Sequence, residues 1–166
     1  MRSHDLVSCR DIRQDELMRH PVVDRPAVSW PRRIARVVLG AFLIFTGVSH
    51  LSFGRIAFHA QVPNWVPVDA DLVIIASGIL EIALGASLVL LTRWQVLVGW
   101  VAAIFFVLVL PGNISQFVTH ANAFGLDSDL DRGIRLLFQP ALVILALWCT
   151  GGWAALRKRS EIVAGE

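Results

Sequence analysis

The sequence predicts an all-α membrane protein, an antiparallel bundle of four transmembrane helices, and three observations predict it. Of its 166 residues, 55% are hydrophobic and only 17% charged, where soluble domains carry about a quarter charged residues. The charges gather before residue 37 and after residue 156, leaving the middle of the chain nearly free of them. That middle holds four apolar runs of about 20 residues. A helix rising about 1.5 Å per residue needs that length to cross a hydrocarbon core of about 30 Å.

Each run is read as a helix because lipid offers no partner to an open backbone amide. None shows the alternation of a barrel strand. The first span is expected at about 34–53. The first 32 or so residues are too polar and too interrupted by proline for a secretory leader, so this run reads as an anchor that is kept. The second span is expected at 72–91. Thr92-Arg93 leaves room only for a tight turn, which predicts an antiparallel hairpin with the third span, 94–118. Pro111 is expected to free the carbonyl four residues earlier and to kink or widen that span. The fourth span is expected at 133–153. Residues 1–33 read as a polar, largely disordered cytoplasmic tail, 34–153 as the transmembrane domain and 154–166 as a second cytoplasmic tail.

Two connections are long. In the first, Pro63 and Pro67 oppose a regular helix and Trp65 suits the headgroup region. The piece before them, with Phe53, Ile56 and Phe58, either lies along the interface or dips into the mouth of the bundle. The second connection carries Asp127, Asp129 and Asp131. Lysine and arginine set the orientation: twelve lie in the two tails, at the mouth of the first span and in the short turn. Three (Arg55, Arg132 and Arg135) lie on the other side. Both termini are therefore expected in the cytoplasm.

Several classes of function are excluded. A net charge of +2 is too small to point to nucleic acid. The two cysteines, Cys9 and Cys149, form no C-x-x-C pair, and no histidines and carboxylates stand at metal-ligand spacing. No phosphate-cradling glycine loop or nucleophile elbow is present. The sequence assigns no metal, no intrinsic cofactor and no catalytic residue, and catalysis by this chain alone is not expected.

Lipid penalises polar groups, so polar residues inside the spans carry the information. Glu81 stands about ten residues into the second span, where a carboxylate costs several kcal/mol. It requires an inward orientation, a polar partner or a neutral, protonated state. Two roles remain open: a proton acceptor or ligand anchor, and a structural hydrogen-bond hub. Ser77, Gly78 and Gly85 share its helical face, the glycines chiefly for close helix packing. By depth, Asn113 and Gln139 converge with Glu81 on a cavity, with His50, Gln116 and Arg135 at its rim. These seven residues are the candidate ligand or proton site.

The order of short motifs resembles the DoxX-like family. It runs through Gly-Val-Ser-His at 47–50 with Phe53, then Val-Pro-Asn-Trp-Val-Pro at 62–67. Ser-Gly-Ile-Leu-Glu-Ile at 77–82 follows with Gly85, then Leu-Pro-Gly-Asn-Ile at 110–114 and Arg-Leu-Leu-Phe-Gln-Pro at 135–140. The likeness covers about residues 36–153. It implies a small four-helix protein of the bacterial cytoplasmic membrane, of a kind linked to quinone-coupled sulfur oxidation and to oxidative-stress assemblies. The arginine-rich tail departs from the compact pattern of that family.

The first functional expectation is a non-catalytic membrane subunit of a redox or quinone-linked assembly. In it Glu81 serves a proton or a ligand, Asn113 and Gln139 orient a carbonyl, and His50 relays protons. The partners are then the lipid bilayer, redox proteins and, as a further option, a second copy of the chain. The alternative is an adaptor or assembly factor with no small-molecule site. A weaker alternative is a carrier of small polar solutes, which four spans support only as a homo-oligomer.

Overall fold

The computed structural model describes residues 29–121, 123, 125 and 128–157, and among them all regular structure is helical. The readings made for the tail before residue 29, for Cys9, for Asp127 and for the chain after residue 157 lie outside the described residues. The helices are α1 (Trp30–Leu51), α2 (Arg55–Phe58, followed by a 3-10 turn His59–Gln61), α3 (Ala70–Leu90), α4 (Gln95–Val118) and α5 (Asp129–Thr150). α1, α3, α4 and α5 are long and apolar enough to cross a membrane. Only 28–39% of the most apolar stretch of each is buried within the protein. The greater part of every long helix therefore presents apolar side chains outward, which suits lipid and not water. The chain is built as a multi-pass membrane protein.

Local chemistry sets the helix ends. α1 starts four residues before the expected boundary because Pro31 sits in its first turn, where a fixed φ and a missing N–H do no harm. Asp69 caps α3, its Oδ1 accepting from the Leu72 amide at 3.1 Å. Ser128 caps α5 by accepting from the Asp131 amide at 3.2 Å, and Asp129 and Asp131 in the first turn complement the helix dipole. This cap carries α5 four residues past its expected start. At the other end Gly151, with φ 80°, terminates α5 in the left-handed conformation that glycine adopts readily.

Two helix pairs organise the molecule. α1 packs on α3 through glycines spaced by seven on both helices. A Cβ at Gly47 would lie 2.6 Å from the Gly78 carbonyl oxygen, and one at Gly85 would lie 2.5 Å from that of Gly40. Contacts thus rise along α1 as they fall along α3, and the backbones touch where side chains have been left out. α4 packs on α5, where Gly99 receives the fully buried Thr150. α3 and α4, although joined by the 3-10 turn Thr92–Trp94, touch each other little. The expected hairpin of second and third spans is corrected in this respect. The glycines of α3 face α1, and a short link fixes proximity at one end only.

Between the pairs lies a core of Leu39, Leu43, Leu88, Val98, Ala102, Phe105, Phe106, Ala146 and Cys149. Arg36 ties α1 to the start of α4, its Nη1 donating to Gln95 Oε1 at 2.6 Å. Towards the end that carries α2 and the loop after α4, this packing opens into a cavity. Of the three apolar residues of the piece around α2, Phe58 enters the mouth of the bundle, whereas Phe53 and Ile56 stay exposed. Phe58 is buried and stacks on His50, and the Gln61 carbonyl lies 2.5 Å from where a Cβ on Gly112 would stand.

Candidate functional site

The cavity has a volume of about 740 Å³, is walled mostly by apolar side chains and lies between α1, α4 and α5. Six of the nine phenylalanines line it: Phe42, Phe45, Phe58, Phe105, Phe106 and Phe138. Its polar points include Glu81, His50, Asn113, Gln139 and Arg135, five of the seven residues expected at the site. Ser77 and Gln116 do not line it. Ser77 is half-buried on α3, whereas Gln116 is 2% exposed and donates its Nε2 to the Ala121 carbonyl at 3.4 Å, closing the end of α4.

Glu81 and His50 meet across the α1–α3 contact. Gly78 lets the two helices approach until a Cβ on it would stand 2.8 Å from the His50 Cβ. The imidazole then reaches one turn along α3. His50 Nδ1 lies 2.9 Å from the Thr46 carbonyl oxygen and 3.1 Å from Glu81 Oε2. A carbonyl oxygen can only accept, so the Nδ1 proton belongs to the bond with Thr46. Glu81 Oε2 sits close beside that N–H but off its line, and makes no aligned hydrogen bond. Both residues are only 7% exposed, and the ring is held by its face against Phe58 at 3.4 Å between centroids. Depth counting had put His50 nearer the surface than Glu81. The stagger of α1 against α3 removes that difference.

Asn113 and Gln139 meet across the α4–α5 contact. Asn113 Nδ2 donates to Gln139 Oε1 at 2.9 Å, and Gln139 Nε2 donates to the Phe106 carbonyl at 2.8 Å. α4 runs unbroken through Pro111. The carbonyl that a neighbouring side chain reaches is that of Phe106, one position before the carbonyl expected to be freed. Gln139 is thus engaged at both its oxygen and its nitrogen, while Asn113 Oδ1 is buried with no partner.

The loop end of the cavity is closed by polar contacts. The Gln61 side chain turns its carbonyl oxygen to the Arg135 guanidinium. Above it, Asp71 Oδ1 accepts from Arg55 Nε at 2.8 Å and lies 3.0 Å from His59 Nε2, which ties α2 to the start of α3. Phe58 was read from sequence only as part of a piece that lies along the interface or dips into the mouth, and Gln61 and Thr46 were not singled out. The signal for Gln61 was weak, an amide in a connecting segment. A backbone carbonyl such as that of Thr46 leaves no trace in sequence at all. The side of the cavity between α1 and α5 is rimmed by exposed Val38, Phe42, Phe45, Ile134 and Phe138, so it opens laterally towards the surface that suits lipid.

Fold and site together define a class: a multi-pass helical membrane protein with an apolar cavity and a buried acid–imidazole pair in its wall. The chain belongs to the family described as Domain of unknown function (DUF8561), whose profile matches residues 39–150. That stretch contains every cavity-lining residue except Val38. No curated protein and no solved structure matches the chain.

Proposed function

We propose that this protein is a DoxX-like, antiparallel four-helix subunit of the bacterial cytoplasmic membrane, with both termini in the cytoplasm. In this reading it binds a small lipophile for a redox or quinone-linked assembly and does no chemistry alone. The observation that carries the reading is the cavity itself. It falls within the range of about 300–1,000 Å³ typical of small-molecule sites, and its few polar groups converge from separate helices. A bundle held only by packing has no need of such a space. The motifs behind the DoxX-like resemblance supply His50, Glu81, Asn113, Arg135 and Gln139, all of them in the cavity wall. The excess of basic residues in the tails and short turn supports the orientation.

The test is photo-crosslinking in nanodiscs with an azido-derivative of a short-chain benzoquinone, presented in oxidised and reduced forms. Saturable labelling of α1 and α5 that unlabelled ligand competes away, and that Leu142→Trp abolishes by filling the cavity, is the expected result. Unsaturable labelling spread over the lipid-facing surface would remove the small-molecule site and leave the adaptor reading.

A further inference from the structure

We infer that the occupant of the cavity is an elongated amphiphile. It lies lengthwise, with its one polar end towards α2 and the loop after α4. The inference rests on the lipophile-binding reading and deepens it by fixing the class of ligand and its direction.

The lining extends from Val38 to His50 on α1 and from Asp131 to Leu145 on α5. At about 1.5 Å per residue the space is about 20 Å long. Its character changes once along each of the three helices that enclose it. On α1 the lining residues between 38 and 45 are all apolar, and Thr46, Ser49 and His50 follow. On α4 Phe105, Phe106 and Val109 give way to Asn113. α5 runs the opposite way, and there Asp131, Arg135 and Gln139 precede Leu142 and Leu145. Glu81, beside His50, and Gln61, on the turn after α2, complete the polar half at the loop end. The apolar half points to the end where α1 begins and α5 finishes, which Arg32 over the Trp148 ring at 5.7 Å marks as one end of the molecule.

A polar head at the apolar end would be buried among hydrocarbon side chains with nothing to bond. A chain at the loop end would deny partners to the polar wall. Reversal loses on both counts, so the wall sets the direction of the ligand. It does not demand one pattern of donors and acceptors: Asn113 and Gln139 each commit only one of their two amide hydrogens. The loop end is closed by Gln61 on Arg135, while the rim between α1 and α5 is apolar and open. The amphiphile therefore enters sideways from the bilayer and keeps its long axis along the helices.

Two probes test the direction with the full chain in nanodiscs. One is a decyl-benzoquinone with an azide on the ring, the other a decyl-benzoquinone with a diazirine at the end of the chain. Competable label from the ring is expected around Phe58, Ile134 and Phe138, and label from the chain end around Leu39, Leu142 and Leu145. Decylbenzene, without the polar head, and methyl-benzoquinone, without the chain, test the class. At equal concentration in the bilayer each is expected to compete at least about ten-fold more weakly than decyl-benzoquinone, equivalent to about 1.4 kcal/mol. Reversed or identical label patterns, or a truncated compound that competes as well as decyl-benzoquinone, overturn the inference and leave lipophile binding standing. Absence of competable label from both probes overturns the lipophile reading itself.

Discussion

At the scale of single residues, the site is organised by which atoms must donate. Gln139 is the pivot, because it satisfies the Phe106 carbonyl and Asn113 Nδ2 at once. Gln139→Leu strands Asn113 Nδ2 and removes the side-chain bond to the Phe106 carbonyl, which keeps its partner within α4, whereas Asn113→Leu strands only Gln139 Oε1. We expect Gln139→Leu to be the more destabilising by about 1–2 kcal/mol, measured by reversible unfolding in mixed micelles; polar bonds inside membranes sit at the low end of the usual range. Five of the residues that matter here were legible in the sequence because lipid makes a polar residue conspicuous. Depth along a helix can be counted, but rotation about its axis cannot. For that reason Gln116, at a plausible depth, proved to bond a loop carbonyl, and Ser77 stays out of the cavity although it shares a face with Glu81. The proximity of His50 and Glu81 was hidden for a related reason. It depends on the stagger between two helices, which no single run of residues records.

At the scale of elements, the four spans were legible to within about four residues, since length and apolarity are properties of each run alone. The misplaced boundaries are the starts of α1 and α5, where Pro31 and the Ser128 cap extend helices into sequence too polar to register as span. Packing between helices follows from what glycine leaves out. Gly47→Ala drives a methyl group against the Gly78 backbone at 2.6 Å, a contact that cannot relax without separating α1 from α3. The expected cost is about 1–3 kcal/mol. Gly133→Ala meets only a Phe117 ring carbon at 3.7 Å, an ordinary contact. It should be neutral or slightly stabilising through the better helix propensity of alanine. Thermal unfolding of the two variants side by side checks this, and equal losses would mean that close packing of α1 on α3 is not what holds the pair.

At the scale of the whole molecule, the partner of each helix was the least legible feature. The short link between α3 and α4 suggested adjacency, but a turn constrains only the ends it joins, and the broad contacts lie within α1–α3 and α4–α5. The cavity occupies the seam between these pairs. Each pair is contiguous in sequence, one on either side of Thr92–Trp94, and each carries its own close contact, Gly47 on Gly78 in one and Gly99 on Thr150 in the other. The ribosome therefore delivers the first pair complete before the second begins, and neither has to wait for the other to form. A gene divided at Arg93 should consequently encode two separately inserted halves that find each other in the bilayer. Recovery of lipophile binding from co-expressed halves, with none from either alone, would show that the seam is a meeting of two independently made parts.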